Sequence, residues 1–184
     1  MSHTVHRNLL ALVLALASGL AIYFVAHSSS AQSDSTQLTG SAATVASEIG
    51  AFQAPETAED ALPSEPTISG TLARRIGSAS ASEWATIDNA RLCLQDESGA
   101  SVCAPVESYS GNPLVMEPGG ANGPERVVGL APDGISSVTA VFKDGSTKTA
   151  DVANNGFSMA VSEAASQIEW TTSDGVNHKA EGEG

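Results

Sequence analysis

The sequence predicts a mainly β protein: a small antiparallel β-sandwich or barrel-like domain with short N-terminal helices, behind one N-terminal transmembrane helix. Three observations predict it. From Glu83 onward, short apolar runs alternate with polar residues, and turn-forming clusters recur at roughly eight- to twelve-residue spacing. No long amphipathic helix separates these runs, which argues against a parallel α/β sheet. One charge-free stretch begins at Leu9 and ends at Ala26.

That stretch, LLALVLALASGLAIYFVA, has 18 residues. As a helix it would be about 27 Å long, close to the ~30 Å hydrocarbon core of a bilayer. Its length favours a retained anchor over a cleaved signal peptide, whose apolar region runs ~7–15 residues. Ser29-Ser30-Ala31 leaves secretion after cleavage following Ala31 as the alternative. Arg7 is the basic residue beside the span and the next one is Arg74, so the positive-inside rule puts the N-terminus in the cytoplasm and the C-terminal domain outside. The expected organisation is an anchor or signal segment at 1–27, a Ser/Thr/Ala-rich flexible tether at 28–50 and an extracytoplasmic β domain at 51–184.

Along that domain, Thr57-Ala58-Glu59-Asp60 has capping-box spacing and starts a short helical turn that Pro63 stops. Ser69 caps a second short helix, 70–76, with Leu72 and Ile76 on one face. Trp84, Thr86 and Asp88 alternate with Ala85 and Ile87 as a strand. Strands at 91–95 and 101–106 flank Glu97-Ser98-Gly99, a three-residue loop with Gly99 where φ is positive. Pairing Leu94 with Val102 then sets Cys93 opposite Cys103, and an even cysteine count outside the cytoplasm reads as a disulfide. Residues 108–124 read as a long loop. Strands follow at 126–130 and 137–143, a two-residue type I′ turn at Asp144-Gly145, and a return strand at 146–152. Asn154-Asn155-Gly156 turns into a strand alternating through Phe157, Met159 and Val161. The last hairpin pairs 167–172 with 176–180 around Asp174-Gly175.

The PDGI turn at Pro132-Asp133-Gly134-Ile135, the Asp144-Gly145 hairpin and Asp151-Val152-Ala153-Asn154-Asn155-Gly156-Phe157 form a pattern. With Phe52, Thr57-Ala58-Glu59-Asp60-Ala61-Leu62-Pro63 and Leu92-Cys93-Leu94, it resembles a group of uncharacterised, exported actinobacterial proteins over residues 51–172. Ile135 stands where that group has valine. The resemblance implies an exported β domain behind a hydrophobic N-terminal segment. It implies no activity, so no functional residue is carried over from it.

Composition narrows the function. Hydrophobic residues are 41% of the chain, but 29 residues are alanine, so the core is lean. A net charge of −13 argues against a nucleic-acid partner, which needs a basic face. His178 is the one histidine after His27, and no Gly-x-Ser-x-Gly elbow accompanies it, so it reads as a solvated strand residue rather than part of a triad. Asp133, Asp144 and Asp174 each precede glycine as turn formers, not as an alternating calcium loop. No catalytic residue, metal site or cofactor is expected. The candidate binding segment is the loop 108–124 with Tyr109, Met116 and Glu117. The expected function is a non-catalytic, membrane-tethered domain binding a protein, wall or small-molecule partner outside the membrane. The alternatives are a secreted hydrolase with an acidic site and a purely structural envelope protein.

Overall fold

A computed structural model describes residues 37–62, 71–78, 82–120 and 123–181. The expected anchor, its orientation and the cleavage site after Ala31 lie outside the described residues. Among the described residues no helix is long and apolar enough to cross a membrane.

Antiparallel strands dominate. An N-terminal helix α1 (Gly40–Ser47), a short α2 (Gly50–Gln53) and a 3-10 turn (Ala58–Asp60) precede the sheets. The first sheet is a meander of β1 (Leu72–Ile76), β2 (Glu83–Ile87), β3 (Arg91–Asp96) and β4 (Ser101–Pro105), in that spatial order. After β5 (Leu114–Met116) and the small ladder β6 (Gly119–Gly120) with β7 (Gly123–Pro124) come β8 (Arg126–Leu130), β9 (Ile135–Val141) and β10 (Thr147–Asp151). The chain ends with β11 (Gly156–Ala160), β12 (Gln167–Thr172) and β13 (Asn177–Glu181). A second four-stranded sheet has the order β10-β9-β12-β13, and a three-stranded one the order β11-β8-β5.

Strand β8 organises the packing. Its Val128 and Leu130 belong to one hydrophobic cluster with α1, α2 and the first sheet, whereas Val127 and the following Ala131 belong to another with β9, β11 and β12. Both faces are therefore buried, which is why the sequence there is a continuous apolar run without alternation. Opposite β8, the Phe157 ring lies over Gly129, its cross-strand partner, where any side chain would overlap it.

Four expectations are corrected. The stretch 40–50 is not tether: α1 buries Ala42, Val45 and Ala46 at helical spacing, and the buried Ile49 follows them. Residues 72–76 form a strand, not a helix. Leu72 and Ile76, four apart, share a face in either geometry, and pairing with β2 decides the matter. The loop 108–124 contains β5, whose Leu114 and Met116 face one cluster and Val115 the other. The Asp144-Gly145 turn is a three-residue loop: Phe142 and Ser146 close it, and only Gly145 has positive φ.

The cysteine hairpin has the expected register. Leu94 pairs with Val102, Cys93 with Cys103, and Gly99 takes φ 86°. The disulfide joins Cα atoms 4.1 Å apart on the sheet face away from the core. The capping box also forms: Asp60 accepts from the Thr57 N–H at 2.7 Å and the Thr57 hydroxyl at 3.0 Å.

A clamp fixes the N-terminal segment to the β domain. Asp133 Oδ1 accepts from the Gly50 N–H and Asn155 Oδ1 from the Ala51 N–H, both at 2.8 Å. Asn155 also donates to Ala131 O at 2.9 Å and to Asp133 at 2.8 Å. The PDGI turn and the Asn154-Asn155-Gly156 turn are thus parts of one structural joint that supplies the start of α2 with acceptors.

Candidate functional site

The site begins at a backbone contact. Gly77-Ser78 follow strand β1, and Gly77 lies against the turn that starts β11. A Cβ on Gly156 would overlap the Gly77 backbone, so only glycine allows this approach. The Gly77 N–H donates to Asn154 O at 3.4 Å, and Asn154 Nδ2 donates to Arg75 O at 2.9 Å. Asp60 Oδ1 accepts from the Arg75 N–H at 2.7 Å. Side chains and a turn thereby cap this part of β1, a sheet edge that would otherwise invite another strand.

Two clefts flank the contact, and Gly77 and Ser78 line both. The larger has a volume of about 360 Å³ and is lined by Ser82, Glu83, Arg126, Asp151 and Ser158. Glu83 and Asp96 are cross-strand neighbours on the core side of the first sheet, 4% and 1% exposed. Two like charges so placed repel. Arg126, reaching from β8, bridges them: Nη1 lies 2.8 Å from Glu83 Oε1 and Nη2 3.3 Å from Asp96 Oδ2. The remaining oxygens are also occupied. Glu83 Oε2 accepts from the Ser82 N–H at 3.0 Å, while Asp96 Oδ1 accepts from the Ser98 N–H, the Ser98 hydroxyl and the Ala100 N–H at 2.9, 2.6 and 3.1 Å. The network is a tertiary fastener that ties the cysteine hairpin to β8.

The smaller cleft, about 180 Å³, is lined by Arg74, Arg75, Glu59, Asp60, Thr57 and Asn154, among others. Arg75 pairs with Glu59 at 3.1 Å. Arg74 is different. It is 7% exposed, its Nη1 donates to Ala73 O at 2.7 Å and its Nη2 to Ala54 O at 3.2 Å. Its Nε is shut off from solvent and has no acceptor, and no carboxylate among the described residues pairs with it. Sequence reasoning passed over Arg74, Arg126 and Glu83. The available signal was the Arg74-Arg75 pair in a chain with only eight basic residues.

The residues singled out from sequence are dispersed. Tyr109 and Met116 pack against the first cluster, whereas Glu117 accepts the Ala165 N–H at 3.0 Å. The Tyr109 hydroxyl is buried without a partner, and burial, followed by the nearby Glu48 carboxylate, pushes its ionisation well above the ordinary range. His178 stacks on Trp170, ring centroids 5.6 Å apart and planes 10° off parallel. Asp144 and Asp174 accept turn N–H groups of Ser146 and Val176. Among the described residues no three His, Cys, Asp or Glu side chains gather as a metal site. In comparisons with known proteins, the chain matches no family model, no curated protein and no solved structure.

Proposed function

We propose that this protein is a non-catalytic domain, exported and tethered through the segment from Leu9 to Ala26, that binds an extracytoplasmic partner at the two clefts beside Gly77-Ser78. The observation that carries the reading is the gathering of Arg74, Arg75 and Arg126 on these clefts in a chain of net charge −13. Three of the chain's eight basic residues meet there, and acids beside them already pair with two, Arg75 and Arg126. The Cys93–Cys103 disulfide supports an oxidising compartment. The likeness to exported actinobacterial proteins points the same way.

The test is site-specific photocrosslinking of the full-length chain in cells. A probe replacing Ser158, exposed on the larger cleft, is expected to capture a discrete partner in the membrane fraction. The same probe replacing Thr147, on the exposed strand β10, is the control. Equal capture at both positions, or none at Ser158, overturns the reading. So does hydrolytic turnover that Glu83→Gln abolishes, which would establish the acidic-hydrolase alternative instead.

A further inference from the structure

We infer that the Arg74 cleft receives a carboxylate from outside the folded chain. The inference deepens the binding reading above and rests on it. An arginine taken out of water needs counter-charge and acceptors to offset its lost hydration. Arg74 has given up its water and, among the described residues, gained two peptide carbonyls, with Nε left over. The other acids on this cleft are committed. Asp60 holds the Thr57 N–H, the Thr57 hydroxyl and the Arg75 N–H, and Glu59 holds the Arg75 guanidinium.

Size and charge select the ligand class. A space of about 180 Å³ has room for a carboxylate. The guanidinium edge carrying Nε matches the two oxygens of a carboxylate. Glu59 and Asp60 beside it repel a dianion more strongly than a monoanion, which favours carboxylate over phosphate. Nε is sealed from solvent, so a carboxylate reaches it only if the wall of Ala54 and Pro55, exposed and outside any helix or strand, moves aside.

The test is nitrogen-15 NMR of the arginine Nε–H groups in the full-length chain, in detergent micelles, titrated with sodium acetate at ionic strength held constant with sodium chloride. The Arg74 resonance is expected to shift saturably while that of Arg126 stays in place. Arg74→Gln should weaken the acetate response, followed through backbone amides of the cleft, by at least about tenfold. Lys179→Gln, on the exposed strand β13 and outside both clefts, should leave it within about twofold. If Arg74→Gln fails to fold, the wild-type Nε titration still decides. No saturable shift, or tighter binding of inorganic phosphate than of acetate, overturns the inference. A partner captured at Ser158 while Arg74 ignores acetate would sink this inference and leave the binding reading standing. Acetate at Arg74 with no capture at Ser158 would do the reverse.

Discussion

Arg126 and Arg74 approach the same backbone contact from opposite sides, and the protein treats them differently. Arg126 is the more exposed, yet each Nη holds a buried carboxylate and each carboxylate is secured by further donors. Arg74 is nearly sealed from water and, among the described residues, pairs with no carboxylate. A charge held between two opposite charges fastens elements together, and its removal strands its partners. A charge held only by carbonyls contributes little to the fold for the solvation it has lost. Burial alone therefore does not separate a structural arginine from one kept for another purpose; the partners do.

The largest effect is expected at Arg126. Arg126→Met should leave Glu83 and Asp96 facing each other across β2 and β3 without compensation, and should cost about 3–5 kcal/mol in urea unfolding. Arg126→Lys should recover only part of this, because a single ammonium cannot span both carboxylates as the planar fork does. The disulfide belongs to the same side of the comparison, since it staples the hairpin whose loop positions Asp96. Cys93→Ser should cost about 2–3 kcal/mol from restored loop freedom in the unfolded chain, and Cys103→Ser the same. The double variant should cost no more than either single one, which equilibrium unfolding of all three will check. An additive double loss would show that the thiols, not their bond, matter.

These two fasteners were unequally legible. The hairpin was readable because everything that defines it lies within a few residues: Gly99 supplies the positive φ, the loop length sets the register, and the register brings the cysteines together. Strands 126–130 and 167–172 were likewise bounded by local turn chemistry. The Arg126 network was not readable, since its carboxylates lie 43 and 30 residues away and no local spacing joins them. Helix α1 escaped because its buried residues are mostly alanines, which carry a faint hydrophobic signal. Strand β5 escaped because two-sided burial removes alternation. Glu117 drew attention as a loop acid, but what it does is accept a backbone N–H from a segment 48 residues on.

A third substitution sharpens the contrast on the other side. Arg74→Met keeps most of the side chain's volume and removes the charge. Without an added carboxylate, stability should be unchanged or higher by up to about 1 kcal/mol, since an apolar replacement of similar volume escapes the desolvation cost. Thermal unfolding of the two proteins in acetate-free buffer is the measurement. A loss matching that of Arg126→Met would mean that Arg74 is already balanced within the fold, and the distinction between the two arginines would fall.

The smallest effect is expected at Tyr109, where the unsatisfied group is neutral. Its hydroxyl is buried with no partner, so Tyr109→Phe removes a desolvated polar atom and loses no hydrogen bond. Near neutral pH the variant should match the wild type or exceed it by less than about 1 kcal/mol. The pH dependence gives the sharper reading. The folded phenol ionises above its unfolded value of 10.0, so below that pH both states are protonated and the group has no linkage to folding. As pH rises past 10.0, the unfolded chain releases the proton while the folded one retains it, and the wild type loses stability. Phenylalanine has no proton to release, so the gap between variant and wild type should open only on the alkaline side. Parallel unfolding curves at pH 8 and about pH 11 decide this. A constant gap would mean that the Tyr109 hydroxyl ionises as easily inside the protein as outside it.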